Sequence, residues 1–314
     1  MQRKSVVFGM VALVAGAVGF AACDRGPQAL SAPSVAVQGQ GGFSQDLEGL
    51  PDLVVHTPTI SSSWVVREET FVDGQCSVEE GNIPTGTHKS LRFSVLINNA
   101  GDADLYVGDP LKHMDPNGDG DFADQDGLFE FASCHRHFHF RNYATYELLR
   151  VNADGSFGAP VQSRKRGFCM LDTTPAQVAA GEAPRTPYYR NCGNLTIHGN
   201  QGISKNWGDE YSKQLPGQLF LLTDPNEPVA PGKYVIKIVA NPAFAQTAGQ
   251  PCPAKDPQGM CRNFAESNYD NNVGMVQIEI PARVGRLGYG PGKGEFQESL
   301  DANHHPEAHG QSQS

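Results

Sequence analysis

Apolar residues recur at every second position over several short stretches of the chain, which is the pattern of β-strands with one buried face. In residues 91–98, for example, single residues separate Phe93, Val95 and Ile97. Because side chains alternate between the two faces of a strand, these three point to one side. The same pattern predicts further strands at residues 50–55, 63–71, 218–223, 233–240 and 274–280.

The chain is also rich in residues that interrupt regular structure, with 35 Gly and 22 Pro among 314 residues. Short alternating stretches separated by such residues favour an all-β fold. We therefore expect a β-sandwich core with long functional loops, formed by residues 49–283. Residues 173–207 are predicted to be mostly loop, and long loops in compact domains usually carry function.

The two ends of the chain differ in composition from this region. Residues 1–23 have a basic start, an apolar stretch and a small-residue exit, as expected of a secretory signal peptide. Residues 20–23 resemble a bacterial lipobox, in which Cys23 receives lipid and anchors the protein to a membrane. We therefore expect an exported protein, either a cell-envelope lipoprotein or a secreted one. Residues 24–48 are predicted to form a flexible linker, and residues 284–314 a disordered tail.

The formal net charge of −10 argues against nucleic acid as a partner, because nucleic-acid binding requires a basic surface. An acidic surface attracts cationic amines or lysine-rich polypeptides instead, although solubility alone explains the charge equally well.

Beyond the signal peptide the chain has six cysteines, Cys76, Cys134, Cys169, Cys192, Cys252 and Cys261. An even number of cysteines in an exported chain implies disulfides. Spacing alone suggests only one pair, Cys252–Cys261.

Three histidines alternate with other residues in the segment Ser-Cys-His-Arg-His-Phe-His, residues 133–139. In an extended strand His135, His137 and His139 would project from one face. Three neutral imidazoles that converge on one point suit Cu(II) or Zn(II). The strand is expected to continue towards Val151, and the alternative to a metal site is a solvated, histidine-rich strand.

Residues 115–126 form a dense carboxylate loop that resembles a calcium-binding loop, with Asp in place of the usual final Glu. Gly120 occupies the turn position, and the predicted calcium ligands are Asp115, Asn117, Asp119, Asp121 and Asp126. A solvated acidic turn is the alternative.

Residues 133–139 also resemble S-C-H-Q-H-Y-H, the copper segment of the lysyl oxidases, copper amine oxidases that oxidise peptidyl lysine. Residues 231–242, PGKYVIKIVANP, resemble P-G-N-Y-I-L-K-V-x-V-N-P, and residues 266–273, ESNYDNNV, resemble E-S-D-[FY]-[ST]-N-N-[VI]. The resemblance extends over about residues 52–280. It implies that the copper ligands are His135, His137 and His139.

Two further residues match the positions of the family's quinone cofactor, lysine tyrosylquinone. Lys165 in Lys-Arg-Gly-Phe-Cys matches the lysine of K-x-x-F-C, and Tyr211 in Asp-Glu-Tyr matches the tyrosine of D-T-Y. The resemblance implies that these two residues are catalytic and form the cofactor by a covalent cross-link. Arg164 and Arg166 flank Lys165, and their positive charge is expected to lower its pKa and favour the free amine.

By the same match, the chain is expected to hold a structural calcium ion whose ligands are Asp52, the Leu53 carbonyl, Glu266, Asn268, Asn271 and Asn272. Asn268 stands where the family has Asp, so the site lacks one ligand charge. Such a site would connect the first strand to the last segment, and an Asn-rich turn is the alternative.

The resemblance also implies a disulfide between Cys134 and Cys192, which match a paired set in the family. Cys76 and Cys169 then remain as the third pair.

Together these features predict a copper- and quinone-dependent amine oxidase that converts peptidyl lysine or other primary amines to aldehydes, consumes O2 and releases H2O2 and NH3. Asp209 and Glu210 are candidate general bases, on their closeness to Tyr211 in sequence alone, and solvated carboxylates are the equal alternative for both. The alternatives are an exported copper-binding lipoprotein without the quinone, and a copper or zinc enzyme that uses only the histidines. Retention of both Lys165 and Tyr211 favours the oxidase, because a binding protein needs neither. Envelope proteins, foreign polypeptides and small diamines all remain open as substrates.

Overall fold

The computed structural model describes residues 47–176, 186–247 and 251–299. The predicted signal peptide with Cys23, most of the predicted linker and the end of the predicted tail lie outside these ranges. The described strands are β1 (Leu53–Val55), β2 (Val65–Phe71), β3 (Gly86–Arg92), β4 (Val95–Asn99), β5 (Leu105–Gly108), β6 (Phe129–Ala132), β7 (His137–Phe140), β8 (Ala144–Arg150), β9 (Val161–Gln162), β10 (Thr174–Pro175), β11 (Gln201–Ile203), β12 (Trp207–Tyr211), β13 (Leu219–Leu221), β14 (Gly232–Ala240), β15 (Ala254–Lys255), β16 (Cys261–Arg262) and β17 (Val273–Ile280). The described helices are α1 (Thr57–Ser63), α2 (Cys76–Glu79) and α3 (Leu111–Met114).

The strands pair into antiparallel sheets, which confirms the all-β prediction. Two sheets have four strands each, in the orders β1-β4-β12-β10 and β17-β14-β8-β9. A third sheet has the order β13-β3-β2, and the two-stranded sheets are β11-β5, β6-β7 and β15-β16. Residues 173–207 contain only the short strands β10 and β11 and the start of β12 among their described residues, as expected of a long loop.

One hydrophobic core joins the two four-stranded sheets. The first sheet contributes Val95 and Ile97 from β4, and the second contributes Leu148 and Ile236 from its inner strands. All four side chains are fully buried. Because burying one such side chain stabilises a fold by roughly 1.5–3 kcal/mol, the shared core holds the sheets together.

The stretch predicted as one strand, residues 91–98, is divided between two sheets. β3 ends at Arg92, which pairs with Val65, and β4 begins at Val95, which pairs with Tyr211. Between them Phe93 packs against the ring of Phe220, with 5.1 Å between centroids. Every residue from Leu91 to Asn99 is buried, so burial continues through the break and the pattern does not distinguish one strand from two.

The predicted histidine strand is also shorter than expected. β7 begins only at His137 and ends at Phe140, and β8 begins at Ala144. Asn142, between them, has a φ of 59°, a left-handed conformation that extended backbone does not adopt. His135 therefore lies in the turn before β7.

Two of the three expected disulfides are wrong. The structure pairs Cys76 with Cys134 and Cys169 with Cys192, in place of Cys134–Cys192 and Cys76–Cys169, whereas Cys252 and Cys261 are joined. The difference arises because α2, which begins at Cys76, packs beside the turn that contains Cys134. The Cα atoms of these two cysteines are 5.6 Å apart, a distance that a disulfide spans.

The tail predicted to be disordered from residue 284 is instead packed against the domain as far as residue 299. Tyr289 forms a backbone bridge with Val66 of β2, and Glu298 pairs with the fully buried guanidinium of Arg92. Phe296 lies under the guanidinium groups of Arg67 and Arg92. The glycine-rich composition predicted disorder because it cannot reveal these single long-range contacts.

In the part of the chain that the structure describes, no helix has the length and apolar character needed to cross a membrane.

Candidate metal and cofactor site

The three histidines converge because the backbone turns before β7. Arg136 adopts a left-handed conformation with a φ of 57°, which folds His135 back over the start of the strand. A straight strand would instead separate His135 from His139 by roughly 13 Å, because it rises about 3.3 Å per residue. The observed turn therefore produces a metal-binding geometry that the predicted extended strand could not.

The ring nitrogens that face each other are Nδ1 of His135 and Nε2 of His137 and His139. His135 Nδ1 lies 3.1 Å from His139 Nε2, which lies 3.1 Å from His137 Nε2. Two nitrogens bound at about 2.0–2.1 Å to one ion at about 90–110° are separated by roughly 3 Å. The donor set therefore fits one transition-metal ion.

All three imidazoles are buried, so they are held in place by packing. A Cβ atom added to Gly167 would lie 2.5 Å from His139 Cβ and 2.6 Å from its Nδ1, so only glycine fits there. Among the described residues, these histidines are the one group of three or more His, Cys, Asp or Glu side chains whose ligand atoms gather within 4.8 Å.

Backbone contacts hold the lysine segment against the histidine strand. Phe140 and Phe168 form an isolated bridge in which the N–H of each donates to the carbonyl of the other. The buried Gln201 reinforces this contact, because its amide donates to the carbonyl of Phe138 on β7 at 2.9 Å and its Oε1 accepts from the N–H of Met170 at 3.3 Å. Lys165 is thus fixed three residues before a segment that is paired with β7.

Lys165, which lines one cavity with His135 and His139, lies beside Tyr211. Lys165 Nζ lies 5.4 Å from the centroid of the Tyr211 ring and 5.6 Å from that of Phe168. Tyr211 is fully buried on β12, and its hydroxyl donates to the carbonyl of Cys169 at 2.9 Å. Residues 46 positions apart in sequence are therefore adjacent in the fold, as the resemblance requires.

Burial of the Lys165 ammonium away from water lowers the pKa of Lys165 to about 8. The carboxylates of Glu80 and Asp209 oppose this effect. The expected cause, charge repulsion from Arg164 and Arg166, is wrong. Arg164 forms an ion pair with Asp224, and neither arginine is among the causes of the shift. Desolvation is the larger effect because the amine lies against the Phe168 and Tyr211 rings.

The two candidate bases lie on opposite faces of β12. Asp209 is fully buried and shares its face with Tyr211, and burial raises the pKa of its carboxyl well above the usual range. The carboxyl also interacts with the Tyr211 hydroxyl and with Lys165. Glu210 points the other way and accepts a hydrogen bond from Thr174 Oγ1 at 3.3 Å. The structure therefore distinguishes the two candidate bases, which lie next to each other in the sequence and could not be distinguished from it.

Glu80 completes the site and was not found from the sequence. It follows α2 and lines one cavity together with His135, His139 and Lys165. Its only sequence signal is its position four residues after Cys76, whose partner Cys134 precedes His135.

The residues of the expected calcium site lie together, with one exception. Glu266 is buried and accepts hydrogen bonds from the Leu53 N–H at 2.7 Å and the Asn272 amide at 2.8 Å, and Asp52 accepts from the Asn271 amide. Asn268 is exposed, and its side chain accepts from the Asp270 N–H of its own loop.

The acidic loop is organised by its own backbone. Asp115 accepts from the N–H groups of Gly118 and Gly120, and Asn117, Asp119 and Asp121 accept from nearby N–H groups in the same way. Asp126 contacts His113 Nδ1 at 2.6 Å. These carboxylates do not gather as the histidines do, and the calcium site predicted here stays a prediction.

The chain is similar to known proteins of one family. The family model for lysyl oxidase matches residues 51–249, which is more than half of the chain. Lysyl oxidase homolog 2 of Pongo abelii is 27% identical over 286 residues, covering 87% of this chain and 30% of that protein. Protein-lysine 6-oxidases of Gallus gallus and Homo sapiens are each 26% identical over 241 residues, covering 73% of this chain and 45% and 46% of theirs. The chain thus spans less than half the length of these relatives.

Proposed function

The chain belongs to the lysyl oxidase family, and from this premise we propose that it is a copper- and quinone-dependent amine oxidase acting on peptidyl lysine or other primary amines. The observation that carries the proposal is the approach of Lys165 Nζ to the Tyr211 ring, because Lys165 also lines a cavity with two of the three converging histidines. A copper-binding protein without the quinone has no need of this arrangement.

His135, His137 and His139 would hold the copper ion, because their facing nitrogens have the spacing of ligands around one metal. Copper bound there would catalyse oxidation of the Tyr211 ring by O2. The buried walls of the site keep Tyr211 fixed through the hydrogen bond from its hydroxyl to Cys169.

Lys165 supplies the second half of the cofactor. Its nitrogen would bond to the oxidised Tyr211 ring only after losing a proton, and desolvation of the ammonium favours that loss. The quinone formed in this way would supply the electrophilic carbonyl with which a primary amine condenses. In the overall reaction a primary amine, O2 and water would give an aldehyde, NH3 and H2O2.

Asp209 is the base that we assign to the carbon-bound proton of the substrate. It shares a strand face with Tyr211, and burial raises the pKa of its carboxyl, so the ionised carboxylate binds a proton more strongly than an ordinary Asp. Glu210 lies on the opposite face and is therefore not assigned this role.

Peptide mapping tests the proposal. Copper-loaded protein matured in air should contain a covalent cross-link between the Lys165 and Tyr211 peptides, whereas protein kept without O2 should not. Separate, unmodified peptides in a sample that oxidises amines would overturn the quinone assignment. A panel of diamines and lysine-containing polypeptides, assayed by peroxide release, would then identify the substrate class.

Calcium is the second ion that we propose, at Asp52, Leu53, Glu266, Asn271 and Asn272. The support is that the buried side-chain oxygens Oδ1 of Asn271 and Asn272 accept no hydrogen bond. Such oxygens suit a hard cation such as Ca²⁺. Asn268 would have to turn inward to join them.

The three disulfides fit a protein located outside the cytoplasm. We further propose that Cys23 carries a lipid that holds the enzyme at a membrane. Cys23→Ser should then move the protein from the membrane fraction to the soluble fraction, and unchanged partitioning would remove the lipoprotein assignment.

A further inference from the structure

Glu80 contacts both the backbone and the ring of His135. Its Oε1 accepts hydrogen bonds from the N–H groups of Cys134 at 2.9 Å and His135 at 3.3 Å. Its Oε2 lies 3.5 Å from His135 Nε2. The half-buried carboxylate therefore contacts the turn that folds His135 back over β7.

These contacts leave the two nitrogens of the His135 ring in different surroundings. Nε2 faces the Glu80 carboxylate, whereas Nδ1 lies 3.1 Å from His139 Nε2, on the side of the metal ligands. A neutral imidazole carries one proton, and an adjacent carboxylate favours placing it on the nearer nitrogen. The lone pair of Nδ1 is then available to a metal ion.

We propose that Glu80 is a positioning residue of the metal site, which fixes the ring and tautomer of His135 so that it binds through Nδ1 while His137 and His139 bind through Nε2. The inference rests on the proposed function, because it assumes that the bound ion is copper.

The negative charge of Glu80 also favours binding of a metal cation. Its cavity is lined by Cys76, Glu80, Gly81, His135, His139, Arg164, Lys165, Arg166, Gly167, Pro216 and Gly217. Glu80 is the only carboxylate among these lining residues, which include three basic side chains. Without it, a divalent cation would enter a cavity lined only by positive and neutral groups.

Glu80→Gln is the decisive variant. Its amide oxygen can still accept the two backbone hydrogen bonds, but its NH2 group would face His135 Nε2 as a donor and favour the opposite tautomer. Glu79→Gln is the matched control, because Glu79 is the preceding, exposed residue of α2.

Copper affinity of the full chain should fall roughly 10–100-fold in Glu80→Gln and stay unchanged in Glu79→Gln, as measured by competitive titration with a chelator. The nitrogen hyperfine pattern of the Cu(II) electron paramagnetic resonance spectrum should also change in Glu80→Gln. If copper affinity fell but the spectrum did not change, Glu80 would act through its charge alone, and the positioning role would be overturned. The role would also be overturned if neither the affinity nor the spectrum changed.

A measurement on the metal-free wild type covers the case in which Glu80→Gln does not fold. Nitrogen-15 resonance of the histidine rings should show His135 protonated on Nε2, and a proton on Nδ1 would overturn the inference. A wild-type chain that takes up no copper would overturn the proposed function as well. If the wild type binds copper and Glu80→Gln shows the same copper affinity and spectrum, only the role of Glu80 is overturned.

Discussion

Lys165 carries its amine into a space bounded by the Phe168 and Tyr211 rings. A lysine with its ordinary pKa of about 10.4 would be less than about 1% free amine at pH 8. With its pKa lowered to about 8, about half of the Lys165 side chains would be unprotonated at that pH. Burial thus increases the nucleophilic form of Lys165 roughly a hundredfold.

The rate of cofactor formation should therefore rise with pH between about 7 and 9, with a midpoint near 8. Quinone absorbance after addition of copper in air, followed over a pH series, measures this rate. Lys165→Arg should bind copper and form no quinone at any of these pH values, because a guanidinium remains protonated. A rate independent of pH would show that loss of the Lys165 proton does not limit maturation.

Replacing the buried carboxylate on β12 should affect turnover and leave metal binding intact. We expect Asp209→Asn to lower kcat for amine oxidation roughly 10²–10⁴-fold, because an amide cannot accept the substrate proton. Glu210→Gln should retain nearly full activity, since its side chain lies on the other face. Copper and quinone contents, measured in both variants, separate loss of turnover from loss of the cofactor. Equal activities in the two variants would contradict the assignment.

At the scale of secondary-structure elements, strand positions were predictable because alternation depends on burial, which acts residue by residue. The turn at Arg136 was not predictable, because a left-handed conformation at a non-glycine residue is set by its surroundings. The disulfide partners of Cys134 and Cys192 depend on where α2 packs, a property of the whole fold. Lys165 and Tyr211 were identified by the resemblance alone, whereas Glu80 required the structure.

The contact between the lysine segment and β7 depends on a residue without a side chain. Gly167→Ala should displace His139, because the new Cβ would overlap its ring. We expect copper affinity to fall at least about tenfold, by analogy with the loss of other contacts that orient metal ligands. Gly285→Ala, at a position with no atom within 4 Å of the added Cβ, is the control and should bind copper normally. Titration with a copper chelator compares the two, and equal affinities would show that the site tolerates the displacement.

At the scale of the whole molecule, Glu266 connects β1 to the segment before β17. Burial raises the pKa of Glu266 to about 7, above its usual value of 4.5. The folded chain without calcium therefore holds this proton more tightly than the unfolded chain. This contribution to stability is fully present below about pH 4.5 and falls by on the order of 3 kcal/mol as the pH rises to about 7.

Calcium should stabilise the protein more at pH 8 than at pH 5, because it binds the ionised carboxylate and must displace the proton at low pH. Thermal unfolding with calcium and with a chelator, at both pH values, measures the difference. Glu266→Gln should remove most of the calcium effect, while Glu279→Gln, an exposed change on β17, should preserve it. The same calcium effect at both pH values would exclude Glu266 as a ligand.

The packed part of the tail, residues 284–299, completes the fold through one buried ion pair. The Arg92 guanidinium is fully buried between Glu69 and Glu298 and also donates to the carbonyls of Lys213 and Leu215 at 3.1 Å each. Glu298 accepts a hydrogen bond from Ser77 Oγ, which in turn accepts from the Gly217 N–H. The tail is thereby joined to α2 and to the loop beside Lys165.

Glu298→Ala should lower the free energy of unfolding by roughly 3 kcal/mol, the lower end of the range for breaking a buried pair, because Glu69 still neutralises part of the Arg92 charge. Glu295→Ala, in the same tail, is the matched control. Its partner Arg286 is 78% exposed, so loss of that pair should cost less than about 1 kcal/mol. Urea unfolding curves of the two variants measure both values. If the two losses were equal, the tail would cover the domain without contributing to its stability through Arg92.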